Sequence, residues 1–279
     1  MRTGFVGAGK AGFSLGRYLA DKGNEISGYA SRSRASAGEA AAFTDSKAYD
    51  TVKDLVKDSD ILFLSVPDGK IATVWNEIRD LPIEGKLICH LSGAMTSRVF
   101  DKARDKGACG YSVHPFLAIS DRYTSHMSFE KALFTIEGDA KRIDEITGFL
   151  EACGNPVQRI DASQKGRYHM AATIASNFMV TLYDVAQKEL LKCGFLEENL
   201  PYALPALVGR NIESVIERGP ADALTGPVER GDVLTVRKHL ELADDDLKAL
   251  YTELARRTLV LAKEKNPDRD YLGLEELLS

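Results

Sequence analysis

The sequence predicts an α/β fold: a doubly wound, mostly parallel sheet followed by an all-α segment. Three observations carry this expectation. Short apolar runs alternate with helix-like stretches through the first half of the chain. The run Asp60-Ile61-Leu62-Phe63-Leu64-Ser65-Val66 is almost continuously apolar, as befits a strand covered on both faces. Beyond Ser163 the alternating pattern gives way to long helical periodicity.

Taken in order, Thr3–Val6 reads as a strand and Ala11–Lys22 as a helix with Ala11, Leu15, Tyr18 and Leu19 on one face. Gly16 within that helix weakens it slightly but allows close packing on a sheet. Glu25–Ala30 is the second strand, Ala35–Ala42 the second helix, and Lys47–Asp50 a short third strand. The run closed by Pro67 is the clearest strand, and Lys86–Leu91, Gly110–Val113 and Leu133–Ile136 continue the sheet. The pattern changes after Pro156–Ile160. Ser163–Leu191 then reads as one helix, free of proline, of about 29 residues and roughly 43 Å. Leu200–Arg218, Asp232–Leu242 and Ala243–Glu264 follow as helices, with Thr225–Asp232 a Gly/Pro-interrupted polar loop. These elements imply a first domain over 1–161 and a helical second domain over 162–279, dimeric through its long helices.

Composition narrows the function classes. Lys and Arg number 36 against 41 Asp and Glu, a formal charge of −5, with 44% hydrophobic and 28% charged residues. Those values exclude a disordered or fibrous chain, and no basic cluster marks a nucleic-acid footprint. Cys89, Cys109, Cys153 and Cys193 form no C-x-x-C pair, so no zinc or redox site is signalled and reduced thiols are expected. Met1 runs directly into Gly4-Phe5-Val6-Gly7 without a charged n-region or apolar h-region. The most apolar helical stretch, Ala171–Ala186, contains Asn177 and Asp184 and is too short to span a bilayer. A cytoplasmic protein without metal, membrane or nucleic-acid partner is expected.

Gly7-Ala8-Gly9-Lys10-Ala11-Gly12 is a G-x-G-x-x-G between the first strand and the first helix. Gly7 permits the tight turn, Gly9 the close approach of a pyrophosphate, and Gly12 the packing of helix on strand. The helix N-terminus adds free N–H groups and partial positive charge. At the end of the second strand an NAD site would place an acid for the ribose hydroxyls. The chain instead reads Ser31-Arg32-Ser33-Arg34, which suits the extra 2′-phosphate of NADP, with Arg32 and Arg34 on the phosphate. Ligands of open α/β sheets lie beyond the carboxyl ends of strands, so Val66 and Pro67 should border the dinucleotide and Ser92 the nicotinamide. His114 ends the next strand and, titrating near neutrality, is a proton-donor candidate.

These motifs, with Val66-Pro67-Asp68 and His114-Pro115, resemble the Rossmann-like NADP-binding domain of proposed NADP oxidoreductases that carry a C-terminal helical domain of unknown function. Tyr168-His169-Met170-Ala171-Ala172, Ala175-Ser176-Asn177, Leu224-Thr225-Gly226-Pro227 and Arg230-Gly231-Asp232 extend the resemblance over essentially the whole chain. A more distant similarity links it to ketopantoate reductases and β-hydroxyacid dehydrogenases, whose C-terminal domain is of the 6-phosphogluconate dehydrogenase kind. Those enzymes carry a Lys-x-x-x-Asn on the first helix after the nucleotide domain, the Lys polarising the carbonyl and the Asn positioning substrate. The matching stretch here is Lys165-Gly166-Arg167-Tyr168-His169, with His169 in place of Asn. On a straight helix His169 lies about 40° and Ser176 about 20° from Lys165. Thr235 stands near the late catalytic acid of ketopantoate reductases, which makes that activity a poor fit. The resemblance implies hydride transfer between NADPH and a small carbonyl or imine substrate in a cleft between domains, using Lys165, His169 and His114. The alternative is a non-catalytic NADP(H) sensor or partner-docking protein.

Overall fold

In a computed structural model describing residues 1–279, the first half is wound as strand–helix units. The chain runs β1 (Thr3–Val6), α1 (Lys10–Asp21), β2 (Ile26–Ala30), α2 (Arg34–Phe43), β3 (Lys47–Tyr49), α3 (Val52–Asp58), β4 (Ile61–Leu64) and α4 (Asp68–Ile78). It continues through β5 (Leu87–His90), β6 (Cys109–Pro115), β7 (Phe134–Gly138), α5 (Ile143–Glu151) and β8 (Val157–Arg159). The eight strands order as β3-β2-β1-β4-β5-β6-β7-β8. Every pairing is parallel except β6 with β7, where Val113 faces Ile136 in antiparallel register. The order reverses between β1 and β4, the switch point at which open α/β sheets bind ligands.

Strands β1, β4 and β5 are buried at every residue, which is why β4, Ile61-Leu62-Phe63-Leu64, reads as an unbroken apolar run. One face of the sheet stacks Tyr29 on Phe5 at 5.0 Å and Phe63 on Phe5 at 5.4 Å, beneath α1 and α2. The other carries Leu62, Leu64 and Ile88 under Leu55 of α3 and Trp75 of α4.

Two compact units result, Met1–Val180 and Thr181–Ser279. The first ends with α6 (Lys165–Ala175) and the start of α7 (Asn177–Lys192). The single helix expected over Ser163–Leu191 is therefore two. Ser176 departs from helical geometry at φ −116°, ψ −72°. Its hydroxyl donates to Ala172 O at 2.7 Å and to Asn177 Oδ1 at 3.0 Å, a local alternative to the helical ladder. Ser176 therefore ends α6 rather than extending the Lys165 face.

The second unit holds α8 (Leu200–Arg218), α9 (Pro220–Ala223), α10 (Pro227–Arg230), α11 (Val233–Leu242), α12 (Asp245–Lys265) and α13 (Leu272–Leu278). Its own core gathers Val228, Val236, Leu240, Leu259, Tyr271 and Leu274. The expected polar loop Thr225–Asp232 contains α10, and Asp232 caps α11 by accepting from Thr235 N at 3.0 Å. No helix is long and apolar enough to cross a membrane. All four cysteines are free, with Cys193 exposed and the others buried.

Candidate functional site

A cavity of about 610 Å³, within the size range of ligand pockets, opens at the switch point. The turn after β1 contributes Val6, Gly7, Ala8 and Gly9; the end of β2 adds Ala30, Ser31 and Arg32; and the end of β4 adds Ser65, Val66 and Pro67. Gly7 sits at φ +107°, where a Cβ would stand 2.6 Å from Ser65 O, so this turn needs glycine. Gly9 is the N-cap of α1, no side chain caps that helix end, and a Cβ on Gly9 would meet only Ser65 O at 3.8 Å. The helix end thus offers bare backbone donors to an anion. The cavity therefore fits a dinucleotide pyrophosphate.

Not every expected cofactor residue lines it. Lys10, Ala11 and Gly12 form the first turn of α1 instead, and Gly12 packs so closely that a Cβ would stand 2.1 Å from Ser65 Oγ. Ser33 caps α2 by accepting from Ser36 N at 3.2 Å. Arg34 lies outside the lining, paired with Asp50 at 3.1 Å, while Arg32 remains within it. Sequence reasoning missed Ser36, Asp50, Lys70, Thr73 and Glu77, which do line the cavity. The only sequence signal for them was position: one turn into α2, the end of β3, and one face of α4.

Ser92 belongs to a second, buried cluster. Lys165 opens α6 with its side chain turned inward, only 2% exposed. Its ammonium donates to Ser112 Oγ at 2.7 Å and to Ser92 O at 3.0 Å, 5.5 Å from the centre of the Tyr168 ring. Ser92 Oγ in turn donates to Asp68 Oδ2 at 2.6 Å and accepts from Met95 N at 2.9 Å. Asp68 opens α4, so the helix that lines the cavity is tied by hydrogen bonds to Lys165. Burial pulls Lys165 down to about 8, against the opposing pull of Glu137 and Asp68.

His114 Nδ1 lies 2.6 Å from Tyr168 Oη. Burial, helped by the positive charge of Lys165, drives His114 down to about 4. That corrects the expectation of a group titrating near neutrality: the imidazole is neutral at pH 7. Tyr168, which the sequence marks within a family motif but gives no role, is its partner. His169 is exposed, yet its Nδ1 and His114 Nε2 each lie 2.9 Å from where a Cβ on Gly93 would sit. Glycine at 93 is what lets both rings approach this turn. No group of three His, Cys, Asp or Glu side chains could hold a metal.

Residues 1–115 match the model of a Rossmann-like domain, and residues 132–258 match that of a domain of unknown function (DUF2520). A protein of Thermotoga maritima shares its structure with a TM-score of 0.75 at 26% identity, over 94% of this chain and 99% of that one. A candidate NADP oxidoreductase from Bacteroides fragilis follows with 0.70 at 26% identity, over 92% and 97%. A 1-pyrroline-5-carboxylate reductase of Streptococcus pyogenes shares the fold at 14% identity, with 0.67 over 95% and 98%. No curated protein matches the sequence. The cavity and His114 lie in the Rossmann-like match, whereas Lys165, Tyr168 and His169 lie in the DUF2520 match. The Lys165 cluster is thus assembled from both matched segments inside the unit Met1–Val180.

Proposed function

We propose that this chain is an NADP(H)-dependent oxidoreductase acting on a small carbonyl or imine compound. The observation that carries the reading is Lys165, a buried ammonium joined through Ser92 and Asp68 to the helix lining a dinucleotide-sized cavity. The Bacteroides fragilis relative is a candidate NADP oxidoreductase, and an imine reductase complexed with NADP+ and a reductive aminase complexed with NADPH share the fold. NADPH, when bound, supplies hydride. The α1 N-terminus and Gly9 receive the pyrophosphate, and Arg32 the 2′-phosphate.

Reducing C=O or C=N builds negative charge on the heteroatom, and a donor must await it. An ammonium has three N–H groups; Ser92 O and Ser112 Oγ take two, leaving one for the substrate heteroatom. With a pKa of about 8, Lys165 is charged at neutral pH yet gives up a proton readily. We assign substrate positioning to His169 and a neutral hydrogen-bonding role, shared with Tyr168, to His114.

The test is an NADPH titration followed by a panel of cyclic imines and ketoacids read by NADPH absorbance. Lys165→Ala should lose about 10²–10⁴-fold in turnover, or about 3–5 kcal/mol, with NADPH affinity unchanged. A second reading, a non-catalytic NADP(H) sensor, is favoured by the near-complete burial of Lys165 on internal acceptors. NADPH binding with no turnover across the panel would select it.

We further propose a cytoplasmic homodimer, with domains over 1–161 and 162–279. Four free cysteines suit a reducing compartment. Phe178 and Val180 of α7 and Tyr202, Leu207 and Ile216 of α8 are exposed apolar surface of the kind that subunit interfaces cover. Light scattering at micromolar concentration should give twice the monomer mass.

A further inference from the structure

We infer that Arg34 sets cofactor preference by neutralising Asp50, leaving Arg32 and Ser36 to face the 2′-phosphate. The inference rests on the NADP reading above and assigns a specificity role within the same cavity.

The lining contains two cations, Arg32 and Lys70, and two carboxylates, Asp50 and Glu77. Their formal charges cancel. A 2′-phosphate brings about −1.5 to −2 further charges to the β2–β3 end of that cavity. An uncompensated carboxylate there does two things: it repels the phosphate, and it offers an acceptor to ribose hydroxyls, as acids in NAD sites do. Asp50, just past the end of β3, stands where either effect would be felt.

Arg34 changes the balance from outside. It is the first residue of α2, fixed there by the Ser33 cap, and its guanidinium meets Asp50 Oδ1 at 3.1 Å. With that pair formed, the cavity keeps one net positive charge. The Ser33 cap also brings Ser36 to the cavity in the first turn of α2. The pair itself is exposed, 86% and 68% at its two side chains, so it adds little to folding. Its consequence lies in the field at the phosphate.

Four proteins test this: the natural chain, Arg34→Ala, Asp50→Asn, and the double variant, each titrated with NADPH and NADH. Arg34→Ala should weaken NADPH roughly tenfold, as one charge acting on a nearby dianion through water does, and NADH far less. Adding Asp50→Asn should restore NADPH affinity to within about threefold of the natural chain. Asp50→Asn alone should bind NADPH at least as tightly. The Arg34→Ala loss should shrink at about 0.5 M salt, where screening is strong. Melting temperatures should agree within about 2 °C, since the pair is exposed.

A double variant as weak as Arg34→Ala overturns the inference, because Arg34 then contacts the phosphate itself. Asp50→Asn that weakens NADPH overturns it as well, by making the carboxylate a ligand. A natural chain that binds neither dinucleotide sinks the NADP reading, an outcome distinct from binding without rescue.

Discussion

Lys165 shows at residue scale what the sequence withheld. Its spacing to His169 and its place at the first turn of a helix were legible, and so was its chemistry. Its inward turn was not, because Ser92 and Ser112, which receive its protons, are distant in sequence. The buried amine has a thermodynamic signature. Its pKa falls from 10.5 to about 8 on folding, so between those pH values the unfolded chain binds a proton that the folded chain does not. Stability must then rise with pH across that window, on the order of 3 kcal/mol. Lys165→Met removes the titration while keeping the volume. The natural chain should therefore gain stability relative to Lys165→Met from pH 8 to pH 10.5 in urea unfolding, and a constant difference would refute the burial. His114 runs in parallel on the acid side, held neutral by the same cluster.

At the scale of elements, the sheet was readable because strands buried on both faces leave unbroken apolar runs, as in β4. The reversal at β7 was not, since an apolar run carries no direction. Nor was the end of α6, where Ser176 hydrogen bonds compete with the helix at a position whose periodicity continues. The glycines of α1 were better signals. A Cβ on Gly16 would stand 1.8 Å from Tyr29 Oη, against a ring that is wholly buried. Gly38 of α2 has nothing within 4 Å of its Cβ position. Alanine should therefore act with opposite signs at the two sites. Gly38→Ala should stabilise by about 0.5–1 kcal/mol through helix propensity and chain entropy. Gly16→Ala gains the same propensity but forces α1 off the sheet, with a net loss of about 1–3 kcal/mol. Denaturant midpoints with unchanged m-values would measure both.

For the whole molecule, composition and periodicity announced a sheet half and a helical half, and the packing gives each compact unit a core of its own. Phe5, Phe63 and Trp75 anchor the two faces of the sheet, whereas Val236, Leu259 and Leu274 belong to a cluster confined to the helical unit. The residues that line the cavity all lie in Met1–Val180. A ligand stabilises only what folds to bind it, by about 2.7 kcal/mol at a hundredfold excess over Kd. Calorimetry should therefore resolve two transitions, of which saturating NADPH raises one, by about 5–10 °C for a unit of this size. The exposed apolar residues of α8 lie in the other unit, so its transition should rise with protein concentration if they form the dimer contact. A single transition that NADPH moves as a whole would show instead that the two cores melt together, and that cofactor binding is felt by the helical unit as well.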